Sequence, residues 1–288
     1  MGQTYVGFAI SDCNPQQRNL LEVLEFLNPA DGVELQPEFG IWDVDAAMDL
    51  LCRCPFRTVH APSNGIDIST PTEPKGEDDI RKTLASMDFA HRVGAGAFVI
   101  HPVNAEYPLN LDERQHRRRV FLHTFRNQIV PHYRDRGYTF DLCLENIEFS
   151  KYPAMLEELI ELQETCSQWA PVKVVLDVPH IWNTRRIVQE NEDRRRAMYQ
   201  PSLDVGLVEQ VAGFIEQYRD RIAFYHLANF GVDPVRTHDP ITPTKIHPEL
   251  KEILPLLSDK SIILEVYTGP RDKLKESERT VRSFVGSP

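Results

Sequence analysis

The sequence predicts a single (β/α)8 barrel, an α/β TIM barrel spanning residues 1–288. Short apolar, β-rich runs alternate with longer helical patterns, and they do so eight times. Several of these runs are apolar nearly throughout, as parallel strands covered on both faces are. No glycine-rich dinucleotide turn follows the first run, which argues against an open doubly wound sheet.

The elements follow in order. TYVGFAIS (4–11) reads as the first strand. QQRNLLEVLEFL (16–27) follows as a helix, with Leu20, Leu21, Leu24 and Leu27 at helical spacing. GVELQ (32–36) is the second strand, and Asp43 to Leu51 supplies its helix. RTVHA (57–61) precedes a helix over 79–93, whose acidic start Glu77-Asp78-Asp79 suits a helix N-terminus. AFVIHPV (97–103) leads to a helix over 111–136 and DLCLENI (141–147) to one over 153–168. VKVVLDV (172–178), IAFYHLA (222–228) and SIILEV (261–266) lead to helices over 203–219, 248–257 and 271–285. The segment RQHRRR (114–119) reads as a solvated helix face.

Two βα connections look long. One covers about 181–202 and carries Arg185, Arg186 and the run NEDRRR; the other covers about 230–247 and carries Arg236, His238, Asp239 and Lys245. Connections longer than about 12–15 residues are often lids, and the βα loops of a barrel form its catalytic face. The first is expected to be mobile when empty and protected by substrate.

Composition narrows the class of function. Apolar residues make up 41% of the chain, enough for one large core. The net charge of -11 disfavours a protein held to nucleic acid by overall charge. Cys13, Cys52, Cys54, Cys143 and Cys166 are odd in number and form no disulfide framework, so reduced thiols and a cytoplasmic location are expected. The N-terminus lacks the pattern of a signal peptide, and no apolar stretch approaches a membrane span. Outer helices of such barrels can pair two copies, so a homodimer is one compatible assembly.

The chemistry lies at the strand ends. Strand three ends in His60, strand four in His101, strand five in Glu145, and strand six in Asp177 with His180 just beyond. Strand seven ends in His226 and strand eight in Glu265. A barrel gathers these ends at one rim. Carboxylates there are costly to bury without a partner, and a divalent cation supplies one that His, Asp and Glu ligate.

The segments VHAP, IHPV, LENIE, LDVPH, YHLANF and LEV, in that order, resemble the xylose isomerase-like TIM barrels. That superfamily includes sugar isomerases and epimerases and the endonuclease IV family of apurinic-site nucleases. The resemblance implies a metal quartet of Glu145, Asp177, His226 and Glu265. It matches His180 to a histidine that contacts substrate in ketose epimerases and holds a third zinc in endonuclease IV. It matches His60 and His101 to the pair that builds a further zinc site in that nuclease. Endonuclease IV carries Asp-x-His after strand seven, whereas this chain has Arg236-Thr237-His238-Asp239, leaving His238 or Asp239 as the substitute.

The expected function is a divalent-metal-dependent isomerase or epimerase of a sugar or sugar phosphate. Catalysis would run through an enediolate, with Glu145 and Glu265 as the acid/base pair and His180 beside them. One to three ions of Mn, Zn, Mg or Co would be held, and Arg185, Arg186, Arg236 or Lys245 would bind a phosphate. The alternatives are an endonuclease IV-like phosphodiesterase, with nucleic acid as partner, and a metal-binding barrel without catalysis. Trp182, close after His180, is a candidate wall of the pocket.

Overall fold

The computed structural model describes residues 4–27, 32–70, 74–105, 110–190, 203–231, 238–266 and 271–285. Eight parallel strands close into a barrel in sequence order: β1 (Val6–Ser11), β2 (Gly32–Gln36), β3 (Phe56–His60), β4 (Ala97–Ile100), β5 (Asp141–Glu145), β6 (Val172–Asp177), β7 (Ile222–Leu227) and β8 (Ile262–Leu264). Closure is made by β1 against β8, with Val6 opposite Ile262 and Phe8 opposite Leu264. No helix among the described residues is long and apolar enough to cross a membrane.

Helices surround the sheet. They are α1 (Leu20–Leu27), α2 (Val44–Arg53), α3 (Pro74–Arg92), α4 (Leu111–Thr124), α5 (Val130–Asp135) and α6 (Leu156–Cys166). A π-helical turn over Phe125–Ile129 joins α4 to α5. The remaining described helices are α7 (Val178–Gln189), α8 (Leu207–Tyr218), α9 (Pro248–Ile253) and α10 (Arg271–Val285).

Strand alternation divides the side chains into two cores. Outward residues such as Leu142, Leu144, Val174, Leu176, Ile262 and Leu264 join the helices in the main hydrophobic cluster. Inward residues Ala9, Val99, Cys143, Val175, Phe224 and Ile263 belong to a second cluster that fills the barrel. Two positions further along the same strands stand Ser11, His101, Glu145, Asp177, His226 and Glu265. The barrel is thus apolar at its middle and polar at its C-terminal mouth.

Two features differ from the sequence reading. Residues 181–189 are not part of a long connection: they continue α7, which starts directly after β6. Pro179 sits in the first turn, where its missing N–H is harmless, so the apparent breaker is a helix start. Residues 191–202, the rest of the expected lid, lie outside the described residues. Arg114 is also not on a solvated face, being 1% exposed. It donates to both carboxylate oxygens of Glu158, at 2.8 and 2.6 Å, and to the carbonyls of Phe149 and Lys151. Glu158 in turn accepts the backbone N–H groups of Ala154 and Met155. A buried arginine paired with a half-buried glutamate therefore clasps the loop that follows β5.

Candidate metal centre

Glu145, at the end of β5, is fully buried and lies between three histidines. Its Oε2 is 3.1 Å from His60 Nε2 and 3.2 Å from His101 Nε2. Its Oε1 is 3.0 Å from His226 Nδ1. Asp177 closes β6 and also caps α7, accepting the backbone N–H of His180 through Oδ1. That cap places His180 in the first turn beside the carboxylate. Asn229, after β7, exchanges backbone hydrogen bonds with Asp239 and accepts the N–H of His247. The returning segment brings His238 Nε2 to 3.5 Å from Glu265 Oε2 and 3.9 Å from Asp177 Oδ2.

These residues form three groups, in each of which the candidate ligand atoms lie within 4.8 Å of one another. The groups are His60, His101 and Glu145; Glu145, Asp177, His226 and Glu265; and Asp177, His180 and His238. Glu145 is common to the first two and Asp177 to the last two.

The donor set fits divalent ions. His60 Nδ1 lies 2.6 Å from the Ala61 carbonyl, which can only accept, so Nδ1 carries the proton. The ring's Nε2 then faces Glu145 Oε2 at 3.1 Å, a contact that is filled by a proton in the metal-free chain and that a cation can fill in its place. His180 Nδ1 is likewise engaged with the Asn146 carbonyl at 2.9 Å, which leaves Nε2 as the ring nitrogen that could ligate an ion. Asp177 Oδ2 is buried and accepts no hydrogen bond among the described residues, the state of an oxygen reserved for an ion.

Protonation reflects the same excess of negative charge. Burial would depress the His60 imidazole, but the Glu145 hydrogen bond and the charges of Glu145, Glu34 and Glu265 hold it at about 9. At His101 burial outweighs Glu145, and the ring falls to about 4. Burial would raise Glu145, yet His226 and His101 hold it well below the usual carboxylate range. Asp177 is pushed well above that range, first by burial and then by the charges of Glu145 and Glu265. Glu265 resists burial through His226 and the His238 hydrogen bond and sits at about 2.

A cavity of about 450 Å³ opens over the centre. His60, His101, His180, His238 and Glu265 form its floor, with Ser11, Cys13, Gln36, Ser63, Asn64 and Asn183 around them. Among the described residues its charged rim is formed by Glu38, Glu148 and Lys151, and the last two pair at 2.9 Å. Burial would raise Glu148, but His180 and Lys151 bring it to about 2. Glu145, Asp177 and His226 lie beneath this surface, in contact with the ligand groups but not lining the cavity.

The expected phosphate-binding residues are placed elsewhere. Arg185 is buried and donates to Gln210 Oε1 at 2.7 Å and to the Val205 carbonyl at 2.5 Å, joining α7 to α8. Arg186 lies 5.6 Å over the Trp182 ring and donates to Glu190. Lys245 is in the turn with Thr242, away from the cavity lining, and Arg236 lies outside the described residues. Trp182 stacks on Phe230 at 5.2 Å and does not line the cavity.

Sequence reasoning missed Glu34, Gln36, Glu148 and Lys151. Glu34 and Gln36 carried a usable signal, since both share the inward parity of a strand otherwise fully buried. Lys151 sits in an irregular loop, where no periodicity points at it.

The xylose isomerase-like TIM barrel family matches residues 50–281 of the chain. The chain belongs to this family. No curated protein sequence matches it. Among solved structures, the barrel is similar to the TTHB071 protein from Thermus thermophilus soaked with ZnCl2 (TM-score 0.64, 17% identity, covering 96% of this chain and 98% of that one). It is similar to D-allulose 3-epimerase from Methylomonas sp. in complex with D-allulose (TM-score 0.67, 12% identity, 99% and 98% covered). It also resembles endonuclease IV from Thermus thermophilus (TM-score 0.57, 18% identity, 98% of each chain covered). At these identities the likeness establishes the shared barrel of the family, whose structural neighbours include both epimerases and nucleases.

Proposed function

We propose that the chain is a metal-dependent enzyme that holds two or three divalent ions at the barrel mouth and hydrolyses a small phosphate ester. The observation that carries this reading is the sharing of carboxylates: Glu145 and Asp177 each belong to two ligand groups. Shared carboxylates are what neighbouring ions need, because one oxygen can serve each. Such ions, when bound, supply Lewis acidity that activates water and stabilises a leaving oxygen.

The chain's own groups supply the rest. Glu145 has one oxygen towards His60 and His101 and the other towards His226, so both are committed to holding the centre. Lys151 is the one Lys or Arg among the described residues lining the cavity, and it can orient an anionic group. Ser63, Asn64 and Asn183 offer uncharged partners for hydroxyls. The cavity volume falls within the range for small-molecule sites, so a small ester suits it better than an extended polyanion.

The first test is metal content after purification without added metal, followed by assay with bis(p-nitrophenyl) phosphate. Two or three zinc-class ions per chain and hydrolysis abolished by chelation are expected. A single ion per chain, with no hydrolysis of any phosphoester offered, would falsify the proposal.

A second reading is epimerisation or isomerisation of a small sugar around one ion, with Glu145 and Glu265 as proton carriers. It is supported by the hydroxyl- and amide-rich lining and by Glu265, which faces the cavity. Under this reading, solvent deuterium enters a ketose at the carbon that is inverted. No such exchange across a panel of ketoses would remove it.

A further inference from the structure

β2 contributes no residue to the three ligand groups. It nevertheless ends in two inward polar side chains buried at the centre, Glu34 at 0% and Gln36 at 4% exposure. An isolated carboxylate in that position is strongly unfavourable, so its partners reveal its task. Glu34 Oε2 is 3.1 Å from His226 Nε2 and accepts Thr58 Oγ1 at 2.9 Å. Gln36 Nε2 donates to Glu265 Oε1 at 2.8 Å and lies 3.4 Å from Glu34 Oε1. The strand thus braces two ligand candidates, with Glu34 beneath the cavity floor against His226 and Gln36 in the cavity wall against Glu265.

We propose that Glu34 is the positioning residue that sets the orientation and tautomer of His226. This role rests on the metal centre proposed above. His226 turns Nδ1 towards Glu145, at 3.0 Å, and Glu265, at 3.6 Å. Ligation through Nδ1 requires the ring's single remaining proton to sit on Nε2. Glu34 Oε2 is an acceptor at that nitrogen, so it stabilises this tautomer and opposes a ring flip. A carboxylate behind a ligating histidine also raises the ring's strength as a donor to the ion. Thr58 donates to the same oxygen, which keeps the Glu34 carboxylate aimed at the ring. The geometry requires an acceptor at this point, and a glutamine turned with its amide oxygen to the ring provides one.

The test uses the full chain and zinc. Affinity is read by competition with a chromophoric chelator for wild type, Glu34→Ala and Glu34→Gln. The His226 Nε2–H resonance is followed in the zinc-loaded, 15N-histidine-labelled protein. Glu34→Ala is expected to lose about 10–100-fold in affinity for an ion of the quartet and to lose the slowly exchanging Nε2–H signal. Glu34→Gln is expected to keep the signal and to restore most of the affinity. Should the alanine variant not unfold cooperatively, Glu34→Met fills the space without accepting and replaces it.

Wild-type affinity and an intact Nε2–H signal in a folded Ala or Met variant overturn the role. So does a glutamine variant as weak as the alanine one, because acceptor geometry would then not be the requirement. A wild-type chain that takes up no zinc sinks the metal centre itself. That result is distinct from wild type and variants binding zinc alike, which sinks the role of Glu34 alone.

Discussion

Asp177 performs two tasks with two oxygens. Oδ1 caps α7 and Oδ2 is held in reserve, buried without a hydrogen bond among the described residues. Asn caps helices as well as Asp does. Asp177→Asn should therefore leave the metal-free chain folded and at least as heat-stable as wild type. The sign follows from the carboxyl being pushed well above its ordinary range by burial and by Glu145 and Glu265. At neutral pH the unfolded chain carries this charge freely and the folded chain resists it, so removing the charge favours folding. Ion uptake should fall in the same variant, and calorimetry paired with metal analysis checks both halves. Unchanged uptake would show that Asp177 is a helix cap and nothing more. Sharing predicts a further inequality: Glu145→Gln should lose two ions, while His60→Ala should lose one, counted by mass spectrometry of the dialysed protein. Most of this candidate centre was legible in the sequence because His60, His101, Glu145, Asp177, His226 and Glu265 each interrupt an apolar strand run at its C-terminal end. Glu34 was passed over because it lies mid-strand, where a charge has no obvious outlet. Its partner His226 is 192 residues away in the chain.

At the level of elements, local sequence predicts best where one periodicity runs without interruption. All eight strands lie within a few residues of their expected positions, because an inward and an outward core both demand apolar residues. α7 was hidden because Pro179 and three polar residues at 183–185 obscure its apolar stripe, and its true start signal, Asp177, was read only as a ligand. Arg114 was hidden for a different reason, since its partner Glu158 lies 44 residues away on α6. Glycines settle another local question. Gly7 and Gly32 face each other across β1 and β2, and a Cβ at Gly7 would meet the Gly32 carbonyl oxygen at 2.5 Å. Gly7→Ala should cost about 1–3 kcal/mol by denaturant unfolding, the usual range for overpacking. A loss near zero would mean that β1 and β2 can separate locally at little cost.

For the molecule as a whole, the candidate ligands tie β3 to β8 at one rim. Ions bound only by the folded chain must therefore stabilise the entire barrel. At a free ion concentration 100 times the dissociation constant the gain is about 2.7 kcal/mol, and chelation should lower the unfolding temperature in a single cooperative transition. A chelator that shifts nothing, added to protein shown to carry metal, would mean the ions sit outside the structural frame. Charge acts at this scale too. A chain of net charge -11 repels polyanions, so duplex DNA added in excess should not inhibit turnover of a small ester. Strong inhibition would point to a local nucleic-acid groove and revive the nuclease reading.

The spread of ligands along the chain also orders events during synthesis. His60 and His101 leave the ribosome first, yet the carboxylate they share, on β5, is made much later. The quartet is complete only when Glu265 emerges after β8, the strand that pairs with β1 and shuts the ring. A nascent chain that stops before β8 carries the residues of the other two groups but neither Glu265 nor the closed barrel that brings all three together. If the centre takes up metal as proposed, its full set of ligand groups exists only in a finished barrel, and a chain arrested before its last strand lacks the fourth member of the quartet.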